Sequence, residues 1–181
     1  MHKNKYSIFY FIDKFDKIKL NKLDNNIHLI YRNYHQKIDY NLIKKIKLFC
    51  KIKRIKFYIS NNIKLAIKLG LDGAYIPSFN KKIIQNIYLK RKDFSIIGSA
   101  HNLVEIRIKE IQGVDKIFLS PIFNTKEKTG LGIIKFNNLS SYSKTNIIAL
   151  GGINKSNINK LKLTKVDGFA SISYIDNLYK W

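Results

Sequence analysis

The stretch KIFLSPIFNTKEK, residues 116–128, passes from an apolar run into a polar loop at a proline. The run before the loop shows no alternation of polar and apolar residues. Continuous apolar character of this kind is typical of a parallel strand that is buried on both faces. The loop carries threonine and lysine side chains, which suit the binding of an anion. The stretch therefore predicts a buried strand whose carboxyl end leads into a binding loop.

The same pattern recurs along the whole chain, where short apolar runs alternate with longer segments of helical period. Eight runs have this strand character: SIFYFID from Ser7, IHLIYR from Ile27, IKFYIS from Ile55, GAYIPS from Gly73, FSIIGSAH from Phe94, KIFLSPIF from Lys116, NIIALGG from Asn146 and GFASIS from Gly168. Eight strands with intervening helices predict a closed parallel (β/α)8 TIM barrel of the α/β class. An open doubly wound sheet is the alternative, but no glycine-rich dinucleotide turn follows the first strand.

Amphipathic segments separate these strands. The segment DYNLIKKIKLFCKI places Ile43 and Ile46 on one stripe, with lysines on the opposite face. In NLVEIRIKEIQG we expect Leu103, Ile106 and Ile111 to face inward. The first connection and the end of the chain are short, which predicts a compact barrel with reduced first and last helices.

Length and composition set further bounds. The 181 residues are enough for one domain with a real core, so we expect a single barrel domain over 1–181. An apolar fraction of 45% excludes a disordered chain, and no apolar run approaches membrane-spanning length. The single cysteine, Cys50, excludes a disulfide framework and indicates a reducing compartment. We therefore expect a cytoplasmic protein.

The chain is strongly basic, with 34 Lys and Arg against 12 Asp and Glu and a net charge of +22. A nucleic-acid surface is one interpretation of such an excess. The lysines, however, are spread along the whole chain and accompany an excess of Ile and Asn, as an AT-rich coding sequence would produce. We therefore favour coding bias over nucleic-acid binding, while noting that the excess still attracts phosphorylated ligands.

Chemistry in a parallel barrel lies at the carboxyl ends of the strands. The residues that follow the predicted strands and could bind or react are Arg32, Asn61, Asn62, Asn80, Ser99, His101, Thr125, Lys128, Gly151, Gly152 and Ser173. The Gly-Gly turn after the seventh strand and the serine after the eighth predict a cradle of backbone N–H groups for a phosphate. Thr125 and Lys128 can close over a phosphate or diphosphate, and the His101 imidazole can move protons.

With these residues assembled, the chain resembles the superfamily of thiamine phosphate synthases and thiazole tautomerases. The resemblance runs from about Ile8 to Ile175 and is carried by FYISNNIKLAIKLGLDGAYI, IIGSAHNLVEI, VDKIFLSPIFNTKEK, IIALGGIN and VDGFASISYI. It implies a (β/α)8 barrel that acts in thiamine biosynthesis. The implied reaction couples an aminopyrimidine diphosphate to a thiazole phosphate and releases pyrophosphate with the help of magnesium.

The resemblance also implies roles for individual residues. It assigns Lys128, Ser99 and His101 to catalysis, and it assigns Arg32, Asn61, Thr125, Gly151, Gly152, Ile172 and Ser173 to substrate binding. The implied partners are small phosphorylated pyrimidine and thiazole substrates, without a membrane or nucleic acid, and a homo-oligomer is left open.

The chain departs from the family where the resemblance places the metal. The two magnesium-ligating aspartates fall on Asn62 and Asn80, and a lysine of the family falls on Tyr34. A neutral amide offers a carbonyl oxygen to Mg²⁺ but not the charge that makes the ion bind well. The expected Mg²⁺ site therefore has Asn62 and Asn80 in place of its two aspartate ligands. Two alternatives stay open: a metal-independent thiazole phosphate tautomerase that uses His101, and a non-catalytic relative that binds a phosphorylated ligand.

Overall fold

The computed structural model describes residues 6–34, 37–83 and 91–179. Its eight strands are β1 (Ser7–Ile12), β2 (Ile27–Tyr31), β3 (Phe57–Ser60), β4 (Gly73–Ile76), β5 (Ser95–Ala100), β6 (Lys116–Leu119), β7 (Asn146–Leu150) and β8 (Gly168–Ala170). They pair in parallel and in chain order, and β8 pairs with β1. The eight predicted strands and the closed (β/α)8 barrel are therefore confirmed.

Helices connect the strands on the outside of the barrel. They are α1 (Lys17–Asn21), α2 (Tyr40–Lys53), α3 (Ile63–Lys68), α4 (Leu103–Ile111), α5 (Gly132–Ser141), a 3-10 helix (Ile158–Leu163) and α6 (Ser173–Tyr179). With 5 residues in α1 and 7 in α6, the reduced first and last helices are confirmed. Within the described ranges, no helix combines the length and apolar character needed to cross a membrane. The assignment of 1–181 to one domain stays a prediction.

Helix α2 shows how the sequence sets the bounds of a helix. The Asp39 carboxylate accepts hydrogen bonds from the first backbone N–H groups of α2, and Arg54 ends it in a left-handed conformation. The predicted stripe is confirmed, because Ile43 and Ile46 are fully buried. Cys50 is buried beside them, and burial raises the pKa of its thiol to about 12. This thiol is therefore a core group and not a nucleophile.

The barrel interior is filled mainly by aromatic rings. Alternate residues of each strand point inward, and they form the cluster Phe9, Phe11, Ile30, Tyr58, Tyr75, Ile97, Phe118, Ile148 and Ala170. The Phe118 ring lies at the centre, with its centroid 5.1 Å from that of Phe9, 5.9 Å from Phe11 and 5.7 Å from Tyr75. Because these rings fill the interior, space for a ligand begins only above them, at the carboxyl ends of the strands.

Aspartates brace the opposite, amino-terminal end of the barrel. The Asp72 carboxylate accepts a hydrogen bond from the Phe57 backbone N–H at 2.9 Å, and its carbonyl accepts one from Ser95 N–H. The Asp115 carboxylate accepts from the Ile96 N–H at 2.7 Å. Asp72 and Asp115 thus link neighbouring strands at this end of the barrel.

One helix faces the barrel differently from the sequence expectation. Ile106 of α4 is fully buried as predicted, but Ile111 is 68% exposed. Residues five apart are separated by about 140° around a helix, so the two isoleucines cannot share one face. Lys109 and Gln112 are buried instead, at 0% and 1% exposure. The inward face of α4 is therefore partly polar.

We expect a pH-dependent stability from His28, which lies on β2. Its ring packs edge-on against Phe9, and its Nδ1 accepts a hydrogen bond from the Lys56 N–H. Burial, and then the charge of Lys56, lower its pKa to about 4, although Asp72 opposes this. Between about pH 6.5 and pH 4 the unfolded chain binds a proton that the folded chain does not. Stability should therefore fall as the pH is lowered through this range.

The test compares urea unfolding of the parent and of His28→Gln at pH 7 and pH 5. The parent should lose more stability than the variant over this interval, by at most about 1.4 kcal/mol per pH unit from this one group. Glutamine is neutral at both pH values, so position 28 of the variant binds no proton over this interval. Equal losses in both proteins would contradict a neutral, buried His28.

Candidate active site

One pocket of about 610 Å³ lies at the carboxyl ends of the strands. It brings together predicted residues from five strand ends: Arg32, Ser99, His101, Thr125, Lys128, Gly151, Gly152, Ile172 and Ser173. The predicted residues Asn61, Asn62 and Asn80 are not part of its lining. The closed barrel explains the assembly, because parallel strands end at the same rim.

The Gly151–Gly152 turn lines one side of the pocket, which we call the wall. Its backbone lies directly against the loop that follows β6. Both glycines have positive φ, at 95° and 69°. A Cβ on Gly151 would lie 2.6 Å from the Pro121 side chain, and a Cβ on Gly152 would lie 2.4 Å from the Asn124 carbonyl oxygen. Hydrogen bonds from Ile122 N–H to Leu150 O and from Phe123 N–H to Gly151 O join the two loops. Glycine is therefore required for the loop after β6 to lie against the loop after β7.

Three backbone amides of this wall are available to a ligand. Among the described residues, the N–H groups of Gly152, Ile172 and Ser173 donate to no protein acceptor. All three residues line the pocket. Two neighbouring backbone carbonyls already accept hydrogen bonds from side chains. The Gly152 carbonyl accepts from Asn157 Nδ2 at 2.8 Å, and the Ile153 carbonyl accepts from Ser171 Oγ at 3.1 Å. This side of the lining therefore includes three N–H groups that no described protein acceptor uses.

The loop after β6 is a tight turn that presents a lysine. The Thr125 N–H donates to the Lys128 carbonyl at 2.9 Å, and the Lys128 N–H donates to Thr125 Oγ1 at 2.9 Å. The Thr125 hydroxyl thus shapes the turn, a use that sequence reasoning did not anticipate. Asn124 Oδ1 accepts from the Gly130 N–H at 2.7 Å and closes the base of the loop. These bonds hold Lys128 beside the pocket on a short, internally bonded loop.

The floor of the pocket combines aromatic rings with a buried hydroxyl pair. The Tyr75 hydroxyl donates to Ser99 Oγ at 3.0 Å, and burial raises the pKa of Tyr75 to about 12, so that it stays a donor. The Arg32 guanidinium lies over the Phe11 ring, 4.7 Å from its centroid. A cation over an aromatic face is held without an acidic partner. The Phe11 ring therefore supports the guanidinium at the pocket lining.

His101 lines the same pocket beside a carboxylate. Its backbone N–H donates to Glu105 Oε2 at 2.8 Å, and its Nδ1 lies 3.6 Å from the same oxygen. Glu105 is on the first turn of α4, which Asn102 caps by accepting from the Glu105 N–H. The helix start therefore fixes the carboxylate and, through the hydrogen bond from the His101 N–H, the backbone of His101.

Similarity to known proteins agrees with this site. The family described as Thiamine monophosphate synthase matches residues 25–175. The chain is 34% identical to the thiamine-phosphate synthase of Pelagibacter ubique over 146 residues, which is 76% of this chain and 68% of that protein. The chain belongs to the thiamine monophosphate synthase family.

Other relatives support the same family. The thiamine-phosphate synthase of Clostridium acetobutylicum is 30% identical over 75% of this chain, and the chain spans 66% of that relative's length. The solved structure of thiamine phosphate pyrophosphorylase from Pyrococcus furiosus superposes with a TM-score of 0.72 at 21% identity, covering 93% of this chain and 86% of that one. At this identity the superposition supports the barrel fold alone.

The residues at the expected magnesium positions of this thiamine monophosphate synthase family member do not fit the ion. Asn62 Oδ1 caps α3 by accepting from the Leu65 N–H at 2.9 Å. Asn80 Nδ2 donates to Asn61 Oδ1 at 2.7 Å, while Asn80 Oδ1 accepts from the Lys82 N–H at 3.0 Å. Magnesium in proteins relies on carboxylates in octahedral geometry. In the described part of the chain, no group of three or more His, Cys, Asp or Glu could hold a metal.

A buried lysine, Lys109, bonds to the loop that carries Asn80. The Lys109 ammonium donates to the Pro77 carbonyl at 2.9 Å, the Asn80 carbonyl at 2.7 Å and Gln112 Oε1 at 2.9 Å. Burial lowers its pKa to about 8, against the attraction of Glu105, so the group is still cationic at neutral pH. Gln112 Nε2 donates to the carbonyls of Asn80 and Lys82. The two side chains hold the loop after β4, which lines the pocket.

Sequence reasoning missed several residues of the site. Phe79 and Tyr34 form an edge-on ring pair, with centroids 5.6 Å apart, and both line the pocket. The Tyr34 hydroxyl is paired with Ser60 Oγ at 2.8 Å. Asp176 of α6 also lines the pocket and pairs with Lys19 at 3.0 Å. No motif marked Phe79 or Asp176, because each reaches the rim only through the path of its loop or helix.

We predict that Gly152→Ala is more damaging than Gly132→Ala. Both positions have nearly the same φ, 69° and 70°, but a Cβ at Gly132 meets nothing within 4 Å. Both variants should lose about 1–2 kcal/mol from left-handed strain, and Gly152→Ala should lose more because its methyl group meets the backbone of residues 123–124. Denaturant unfolding of the matched pair measures the difference. Equal losses would argue against the loop contact.

Proposed function

We propose that this chain is a thiamine phosphate synthase, a transferase that joins an aminopyrimidine diphosphate to a thiazole phosphate in thiamine biosynthesis. The observation that carries the proposal is the pairing of two anion-binding features in one pocket. The amides of Gly152, Ile172 and Ser173 form one, and the cations Arg32 and Lys128 form the other. Two phosphorylated substrates that must react with each other need two such features in the same pocket.

The amide wall suits the thiazole phosphate. Backbone N–H donors on a glycine turn bind a phosphate without a charged side chain and fix its position through several bonds. Ser173, at the start of α6, adds a hydroxyl near the same place. A phosphate anchored there would hold the thiazole ring over the pocket floor, with its nitrogen directed at the second substrate.

The cations suit the diphosphate, which has to leave. In the proposed reaction the bond between the pyrimidine methylene carbon and the diphosphate oxygen breaks, and its electron pair departs with pyrophosphate. The thiazole nitrogen then supplies the electron pair of the new carbon–nitrogen bond. Arg32 and Lys128 would stabilise the charge that grows on the leaving oxygen. The buried pair of Tyr75 and Ser99 would position the aminopyrimidine ring.

The decisive experiment supplies both precursors to the purified protein and follows thiamine phosphate and pyrophosphate by chromatography. Equal amounts of the two products support the proposal. Binding of the precursors, seen as thermal stabilisation without product, would indicate instead the non-catalytic relative. An absence of both binding and product would overturn the proposal.

We predict that Lys128→Ala lowers turnover by about 10²-fold, because removal of one donor to a developing oxyanion typically costs this much. The matched control is Lys135→Ala, which removes an exposed lysine from α5 outside the pocket lining. Steady-state rates at saturating substrates measure the effect. A Lys128→Ala variant as active as the control would remove this lysine from the reaction.

A second candidate function rests on His101. An imidazole beside Glu105 in a pocket with a phosphate cradle suits a thiazole phosphate tautomerase, which moves a proton between ring positions. Such an enzyme would exchange a carbon-bound proton of a thiazole carboxylate phosphate with deuterated water, and His101→Ala would abolish the exchange. Nuclear magnetic resonance of the substrate follows it. No exchange by the parent protein would exclude this candidate.

The substrates and the cellular location of the proposed reaction stay predictions. The substrates are small phosphorylated molecules, and nothing in the proposal calls for a nucleic acid or a membrane. A cytoplasmic location is likewise a proposal, and the oligomeric state stays open. The excess of lysine would raise the local concentration of both anionic substrates near the pocket.

A further inference from the structure

The corner at the ends of β3 and β4 differs in kind from the magnesium site that the family resemblance implies. We call it the amide corner and define it by Asn61, Asn62, Asn80, Lys109 and Gln112. Each of its asparagine side-chain oxygens already accepts a hydrogen bond, from Leu65 N–H, Lys82 N–H or Asn80 Nδ2. The corner is therefore an internally bonded polar network and not a set of carboxylates awaiting an ion.

The ammonium of Lys109 is built into this network. Its three hydrogens match three oxygen acceptors, two of which are the carbonyls of Pro77 and Asn80. A buried charge is tolerated only when it is bonded in this way. The aliphatic part of the side chain crosses β5 at Gly98, where a Cβ would lie 2.8 Å from Lys109 Cδ. Glycine at this strand position leaves room for the lysine to reach the rim.

The arrangement opposes a divalent cation on electrostatic grounds. The Asn80 carbonyl is shared by the Lys109 ammonium and the Gln112 amide. A further cation beside this fixed charge would be repelled, and repulsion is strong where burial limits solvent screening. The same positive charge favours an anion. Arg32 and Lys128 of the neighbouring pocket act in the same direction.

We propose that the amide corner replaces the metal site and that the pocket binds diphosphate as a metal-free anion, with Lys109 as the fixed cation under the loop after β4. This inference rests on the proposed function, because it concerns how that function's diphosphate substrate is held. Lys109 is a positioning residue: it holds the carbonyls of Pro77 and Asn80 and does not itself line the pocket.

Inorganic pyrophosphate is the probe for the first test. Titration calorimetry measures its binding to the parent protein in EDTA and in excess Mg²⁺. We expect binding in EDTA, weakened in Arg32→Ala, and no gain from Mg²⁺. Binding that appears only with Mg²⁺, or that Mg²⁺ tightens by about tenfold or more, would overturn the inference.

Assays of product formation in the same two buffers separate this inference from the proposed function. Thiamine phosphate formed in both buffers supports both. Product formed only with Mg²⁺ overturns the inference and leaves the function intact. Pyrophosphate bound in EDTA, without product in either buffer, supports the inference and overturns the function. Neither binding in EDTA nor product in either buffer overturns both.

Variants test the part played by Lys109. Asn62→Asp with Asn80→Asp restores carboxylates, and adding Lys109→Met removes the opposing charge while keeping an unbranched side chain beside Gly98. We expect Mg²⁺ to tighten pyrophosphate binding more in the triple variant than in the double variant. An equal response in both would show that Lys109 has no electrostatic role. If the triple variant does not fold, Lys109→Gln in the same double background replaces it, with the same expected order.

Discussion

The site depends on a steric constraint at Gly151 and Gly152. Because neither residue has a Cβ, the backbone of residues 121–124 can lie directly against the turn after β7 and bond to it. This contact places the loop that carries Lys128 beside the turn, so that Lys128, Gly151 and Gly152 line the same pocket. A single methyl group would separate the two loops. The two glycines are therefore required for the contact between the loops. The phosphate cradle that we propose depends on the same contact.

The distribution of charge gives the pocket its chemical character. Arg32 is supported by the Phe11 ring, Lys128 by a short turn, and Lys109 by main-chain carbonyls, so three cations are held with little help from carboxylates. A cation that is not neutralised locally keeps its attraction for a ligand. The corner where the family resemblance implies aspartates is neutral apart from Lys109. Under the proposed function, these cations would attract the phosphate groups of both substrates.

Much of the fold and of the pocket could be predicted. The eight apolar runs mark the strands because a strand buried on both faces has no polar alternation, and chain order then brings their polar ends to one rim. This is why Arg32, Ser99, Lys128 and Gly152 lie together as expected. The inward face of α4 could not be predicted in the same way. A lysine in an amphipathic helix is normally solvated, and only carbonyls from another loop make the burial of Lys109 tolerable.

By itself, the sequence determined the periodicities, the glycine turn and the positions of the strand ends, all of which are local properties of the chain. These were enough for the barrel and for nine residues of the pocket lining. The tertiary structure alone decided which hydrogen-bond partners the asparagines take, because Asn61 and Asn80 are 19 residues apart in the chain yet 2.7 Å apart at the rim. It also decided that Lys109 points inward. Partnerships between distant polar groups depend on the closure of the barrel, which no local pattern encodes.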